Sequence, residues 1–377
     1  MREYDRAFEG RHPSIRVEHR ELSDVDDDAV LAAAFAANAA PDVVMVHSGM
    51  EFHAFAGQFA DLTEETAPHI ARILPSALDA CRDEAGRIRA VPLTVQGFGW
   101  YYNKRLFADA GLETERPPRT WEEFLSVCGA LEAAGITPIA WGNNPPHGSD
   151  WLRRSLAVTF YDDRELRSFF GTAEAVRDER FVLIASAIRR LRDAGYLDSA
   201  GAFRDHIFDA AASFRSGRAG MYLGLLSDIS NWKEFSDALG PEGVGFFPSV
   251  AHPAARYPGR LCVQDAGIVY AVLKTSPRTE LAKEYALGYL SDEVAERLVR
   301  RTGALVPLTD WRYPVEDYPV LSSILSALEA RGVDPELHYP DISGKAALFR
   351  LDELFVNTAE IGLSTYLESL EAYFVEP

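Results

Sequence analysis

Eleven residues from Trp141 to Trp151, WGNNPPHGSDW, gather side chains suited to holding a polyhydroxylated solute. Trp141 and Trp151 offer flat apolar faces, Asn143 and Asn144 carry amide donors and acceptors, and His147 and Asp150 add an imidazole and a carboxylate. A neutral sugar presents the complementary surfaces: hydroxyl edges that need donors and acceptors, and ring faces that lie on aromatic side chains. Trp141 admits two roles, a core tryptophan closing a sheet or a stacking platform. Trp151 is expected to start a helix and face the site. Gln96 follows the crossing strand at Val91-Pro92, ahead of an aromatic strand, Phe98–Tyr102, on which Trp100 and Tyr101 alternate, so only one of those two can face a ligand. Asp265 stands before Ala266-Gly267 and either bridges vicinal hydroxyls or sits exposed or at a cap. His47, Ser48 and Glu51 follow the apolar run VVMV in the same way, directly after a strand end.

Patterns for covalent chemistry are absent. There is no GxSxG, no SxxK with the partners of a lactamase, no P-loop lysine and no HExxH. Carboxylates are so plentiful that their nearness in sequence carries no glycosidase signal. Cys81, Cys128 and Cys262 are far apart and lack metal-ligand spacing, so neither a metal, a cofactor nor a disulfide framework is expected, although one pair of thiols could join. With 57 acidic against 38 basic residues the formal charge is −19. That surface disfavours nucleic acid and anionic membranes, which require positive fields. No apolar run reaches the ~18 residues of a membrane span. The opening MREYDRAFEGRHP has no apolar core of a signal peptide.

The elements that would position these residues alternate between strand and helix. Ile15–Arg20 reads as a strand, Asp26–Ala39 as an alanine-rich helix, and VVMV as a strand of the fully buried, parallel kind. Asn103 caps a short helix over Lys104–Ala110, and Thr120 with Glu123 forms a capping-box pattern for a helix ending at Gly135. Ile136–Ala140 is a strand, Ala210–Ser216 a helix, and AGMYLGLL, Gly245–Pro248 and Ala266–Leu273 are strands. The C-terminal third is helical over Thr279–Leu290, Asp292–Thr302, Leu321–Ala330 and Ala346–Phe374. This order makes a doubly wound α/β protein, in which ligands sit beyond the carboxyl ends of strands.

The segments YYNKRLFADAGL and PPRTWEEF, with PDVVMV, AGRIRAVPL, FRSGRAGMYL and ELAKEYALGYLSDEVAERLVRRTGALVP, follow one order along nearly the whole chain. That order resembles the family 1 extracellular solute-binding proteins, which deliver sugars to ABC importers. The resemblance implies a two-lobed periplasmic-binding-protein-like fold with a hinge and an interlobe cleft. Lobe one is expected from 1–95 and 249–304, lobe two from 96–248 and 305–377, with crossings near Pro92, Pro248 and Pro307. It implies a non-catalytic monomer that binds a carbohydrate-like solute outside the cytoplasmic membrane and partners with importer membrane subunits. On this resemblance Met1 is expected to fall inside the family pattern, after its first strand. Either an upstream start was trimmed or mis-called, or this is a truncated, cytoplasmic relative. The alternative is a cytoplasmic sensor or an enzyme reusing the fold. The implied site comprises His47, Ser48, Glu51, Gln96, Trp100, Trp141, Asn143, His147, Trp151, Ser227, Asp228 and Asp265. One departure stands out: the family reads close to AMxxxGSWDIxN across 219–231, and this chain has AGMYLGLLSDISN. Ser227 replaces the stacking tryptophan and Leu225 the glycine, so a ligand that is smaller, more polar or other than a common sugar is expected. Trp232, five residues on, is too far to substitute.

Overall fold

A computed structural model describes residues 2–20, 27–37, 39–197, 205–227, 230–334 and 342–375. Among them are nine strands: β1 Val43–His47, β2 Ala90–Pro92, β3 Gln96–Asn103, β4 Thr137–Ala140, β5 Ala219–Leu226, β6 Val244–Phe247, β7 Leu261–Gln264, β8 Ile268–Val272 and β9 Arg331–Val333. The chain divides into two compact units, Met1–Val95 with Asp265–Trp311 and Gln96–Gln264 with Arg312–Pro377.

Unit one carries a three-stranded sheet in the order β1-β8-β2, with β8 antiparallel to both neighbours. VVMV is therefore not the fully buried parallel strand that its apolar run suggests. Val44 and Val46 are buried, whereas Met45 is 52% exposed on the opposite face. Ile15–Arg20 is irregular rather than a strand. Its groups are drawn to the first helix, Arg2–Arg11: the Val17 N–H donates to Glu9 at 2.9 Å, and His19 meets Asp5 at 3.0 Å. Behind β8 lies a tyrosine cluster in which Tyr289 packs edge-on to Tyr270 at 4.7 Å and to Tyr4 at 4.7 Å.

Unit two is built on a six-stranded mixed sheet, β4-β5-β3-β7-β9, with β6 also paired to β3. Strand β3 is long enough to hold two neighbours on one edge. Trp100–Asn103 pairs with β6, and Gln96–Phe98 pairs with β7. That second pairing carries the segment 249–264 into unit two, although its expected place was lobe one. Residues 305–311 move the other way, because the Val95 N–H donates to Leu305 at 2.7 Å and the Leu74 N–H to Pro307 at 2.9 Å. The crossings thus fall at 95/96, 264/265 and 311/312.

The local signals of unit two act as their chemistry requires. The Asn103 side chain accepts from the Leu106 N–H, and Thr120 and Glu123 close a reciprocal capping box on the helix Trp121–Ala133. Gly135 follows at φ +75°, a left-handed turn that glycine adopts without a Cβ penalty. The continuous final helix expected over Ala346–Phe374 is broken instead. A helix Ile342–Asp352 passes into a π-helical stretch Glu353–Asn357, Ala359 turns at φ +54°, and the helix Leu363–Val375 follows. All three cysteines are buried free thiols.

Candidate functional site

In unit one the loop after β1 is sewn to the turn before β8. The Ser48 N–H donates to Gly267 at 3.0 Å and its hydroxyl donates to the Ala266 carbonyl. Gly267 donates in turn to Thr94 at 2.7 Å. Ser48 is wholly buried, so its expected place in a site becomes a structural one: it fixes the loop rather than facing solvent. His47 is exposed and Glu51 half-buried, and the Glu51 carboxylate accepts the His47 N–H at 2.7 Å. Asp265, half-buried, precedes the stitched turn. His47, Glu51 and Asp265 therefore belong to one loop cluster at the end of the unit-one sheet.

In unit two the register sets a second cluster. Gln96 faces Gln264 across β3 and β7, and Gly97 faces Leu226 across β3 and β5. Gln96, Gln264 and Ser227 thus share one sheet end. The Gln96 Oε1 is buried and accepts no hydrogen bond among the described residues. An orphaned acceptor of that kind costs about 1–3 kcal/mol. Ser227 is 4% exposed, and its N–H donates to the Ser230 hydroxyl at 2.9 Å. Asp228 lies outside the described residues. Trp232 is fully buried, edge-on to Tyr318 at 5.0 Å, and belongs to the core.

The aromatic candidates are placed inward. Trp100 is 1% exposed, tilted against Phe124 at 4.8 Å and parallel to Phe247 at 6.1 Å. Tyr101 on the opposite face is equally enclosed, so neither residue of the alternating pair reaches a ligand. Strand alternation assigns residues to faces, but both faces of β3 are covered. Trp151 sits in the first turns of the helix His147–Phe160, which starts at His147 rather than at Trp151. Its indole stacks on Phe98 at 5.0 Å, and the Arg154 guanidinium lies 4.8 Å from the same phenyl ring. At 7% exposure Trp151 is a core residue of unit two. Trp141 is 4% exposed, and its indole N–H is buried and donates to nothing among the described residues.

Asn143, expected as a ligand amide, is fully buried and committed to scaffold. Its Nδ2 donates to Asn357 Oδ1 at 2.6 Å, and Asn357 returns a bond to the Asn143 carbonyl at 2.9 Å. The Asn143 Oδ1 accepts from the Ser149 N–H at 2.8 Å. Asn144 on the same loop is exposed, and the half-buried His147 heads the helix.

That helix is anchored by a buried ionic network. Arg153 holds both oxygens of Asp352 at 2.8 and 2.9 Å and one oxygen of Asp150 at 2.8 Å. Arg154 bonds the other Asp150 oxygen at 3.0 Å and Asp334 at 2.7 Å, and the Tyr366 hydroxyl donates to Asp352 at 2.6 Å. Three carboxylates thus share two guanidiniums. Burial pushes the Asp352 carboxyl up against the opposing charge of Arg153. Burial acts on Asp150 in the same sense, but the charges of Arg154 and Arg153 outweigh it and hold that carboxyl below the ordinary range.

Two residues absent from the sequence-based candidates stand beside the loop. The ring of His206 lies 6.2 Å from that of His147, and Phe208 is 53% exposed. The sequence pattern starts the helix at Ala210 and leaves both residues outside it, whereas the helix runs Ile207–Arg215 with His206 as its cap. Among the described residues no three histidine, cysteine or acidic side chains gather as metal ligands, and no helix is long and apolar enough to cross a membrane.

Known proteins resemble this chain at several levels. The sequence profile of bacterial extracellular solute-binding proteins matches residues 1–296. The "Multiple sugar-binding protein" of Streptococcus mutans is 28% identical over 137 residues, 35% of this chain and 30% of that one. The sn-glycerol-3-phosphate-binding periplasmic protein UgpB of Yersinia pestis is 40% identical over 52 residues, 14% of this chain and 12% of that one. The chain thus spans less than a third of the length of these curated relatives. Solved structures align over most of their length. Maltose-bound MalE3 of T. maritima gives a TM-score of 0.84 at 20% identity, covering 99% of this chain and 95% of that one. A chitin oligosaccharide binding protein gives 0.82 at 18% identity, covering 100% and 93%. RafE in complex with raffinose gives 0.77 at 20%, covering 99% and 94%. At such identities the likeness is one of fold.

Proposed function

Because this chain belongs to the bacterial extracellular solute-binding protein family, we propose that it binds a carbohydrate or carbohydrate-like solute and passes it, chemically unchanged, to the membrane subunits of an ABC importer. On this reading it works outside the cytoplasmic membrane. The observation that carries the reading is the buried Oε1 of Gln96, without a partner among the described residues, at a sheet end shared with Gln264 and Ser227. A sugar hydroxyl is a donor of the kind this oxygen lacks. Asn144 on the loop after β4 and His147 at the head of the next helix, both in the same unit, supply further polar groups. The inward placement of Trp100, Trp141 and Trp151 leaves less aromatic surface than a long oligosaccharide would use, which favours a small or polar solute.

Thermal-shift measurements with neutral sugars, sugar acids and sn-glycerol 3-phosphate test the reading. A neutral or derivatised sugar is expected to raise the melting temperature in proportion to ln(1 + [L]/Kd). Stabilisation by glycerol 3-phosphate alone would move the substrate class to phosphorylated polyols, the ligand named for the Yersinia relative. Conversion of a sugar without any stabilisation would overturn the reading.

A further inference from the structure

The stacking tryptophan expected at 227 is a buried serine, and aromatic surface is found at another strand end instead. His147 lies 5.1 Å from Phe349 and 6.2 Å from His206, and His206 lies 4.8 Å from Phe208. The group is held at the carboxyl end of β4 by backbone. Gly142 follows β4 so closely on His206 that a Cβ there would lie 2.3 Å from the His206 carbonyl oxygen. The Asn144 N–H donates to the Asp205 carbonyl at 3.2 Å, and the Tyr222 hydroxyl of β5 donates to Ile207 at 3.2 Å. The loop after β4 and the start of the helix Ile207–Arg215 are thus one rigid piece.

Phe208 is the one aromatic among the strongly exposed large hydrophobic side chains of the described residues; the others are Val30, Met45, Ile70 and Val375. A single phenyl face matches a pyranose ring in size, and it is far smaller than the several hundred Å² of a protein-docking patch. Its neighbours have the right chemistry for ring hydroxyls. His206 Nδ1 accepts the Phe208 N–H at 3.3 Å, so a neutral His206 carries its hydrogen on Nε2 as a donor.

We propose that Phe208, with His206 beside it and His147 beyond His206, is the sugar-stacking platform of this protein. It takes over the task of the missing tryptophan at 227 from a different strand end. The inference rests on the carbohydrate-binding reading above and adds the residue that selects a pyranose face.

The test uses glucose, xylose, N-acetylglucosamine and maltose with the full chain, by calorimetry and thermal shift. For the sugar that the wild type binds best, Phe208→Ala is expected to weaken affinity at least tenfold while leaving the unliganded melting temperature within about 2 °C, as befits an exposed side chain. His206→Asn keeps a capping acceptor and removes the ring, and a several-fold loss is expected. Phe208→Trp should retain binding and Phe208→Leu should lose it, which separates a ring face from mere bulk if Phe208→Ala proves unstable. Affinity within twofold of wild type in both Phe208→Ala and Phe208→Leu would overturn the platform and leave the carbohydrate reading standing. Failure of these four and of the sugar acids above to bind the wild type would remove both.

Discussion

Replacing Arg153 by methionine removes the centre of the unit-two network while keeping much of the side chain's volume. Arg153 is 2% exposed and Asp352 is 0% exposed, so the carboxylate left behind has no access to water. The Tyr366 hydroxyl still donates to Asp352, whereas Asp150 keeps Arg154 at 3.0 Å. Stranding a buried charge in this way costs about 3–5 kcal/mol, and for a unit of this size each kcal/mol lowers Tm by about 2–4 °C. Arg153→Met should therefore melt roughly 6–20 °C below wild type at pH 7. Adding Asp352→Leu removes the stranded charge and should recover most of the loss, because a buried ion pair replaced by apolar groups is often close to neutral. Calorimetry on the two single variants and the double variant closes the cycle. A melting temperature for Arg153→Met within 2 °C of wild type would refute the argument. So would a double variant whose loss equals the sum of the singles.

Three other outcomes follow from the placement of side chains. Trp151→Ala should cost about 3–5 kcal/mol of stability, read by urea denaturation, because its stack on Phe98 is core; an unchanged midpoint would return it to the surface. Ser227→Trp must force an indole into a 4% exposed position and should lose about 1–3 kcal/mol while weakening solute binding; tighter binding at full stability would contradict the enclosed geometry. Asp83 resists the upward push of partial burial through bonds from Arg89 and Arg87, which lower its carboxyl to about 2. Its folded value lies below the ordinary unfolded one, so its stabilisation is complete above about pH 4 and is lost as pH falls toward 2. The melting-temperature gap between wild type and Asp83→Asn should shrink over that window, and a gap that widens on acidification would be the wrong sign.

Local chemistry was the most legible part of the sequence. Asn103, Thr120 with Glu123, and Gly135 mark helix ends through bonds within one turn, and each acts as read. Long-range cover was not legible. Trp100 and Tyr101 alternate as a strand requires, yet the helix bearing Phe124 and strand β6 enclose one face, while Phe235 and Phe246 pack on Tyr101 on the other. Asn143 looked like a ligand amide because its partner, Asn357, lies 214 residues away in a π-helical turn that no sequence period announces. Ile15–Arg20 has strand character but no neighbouring ladder, and its groups turn to the first helix instead. His206 and Phe208 were hidden because they precede the expected helix start at Ala210, and the sequence gives no sign of which loop they will meet.

The central claim, binding without turnover, is tested most directly by titrating the purified full chain with the best-stabilising sugar and recovering that sugar for mass analysis. The account predicts saturable one-to-one heat and quantitative return of the unaltered sugar. Substoichiometric heat with a continuing signal, and recovery of a cleaved or modified product, would contradict it.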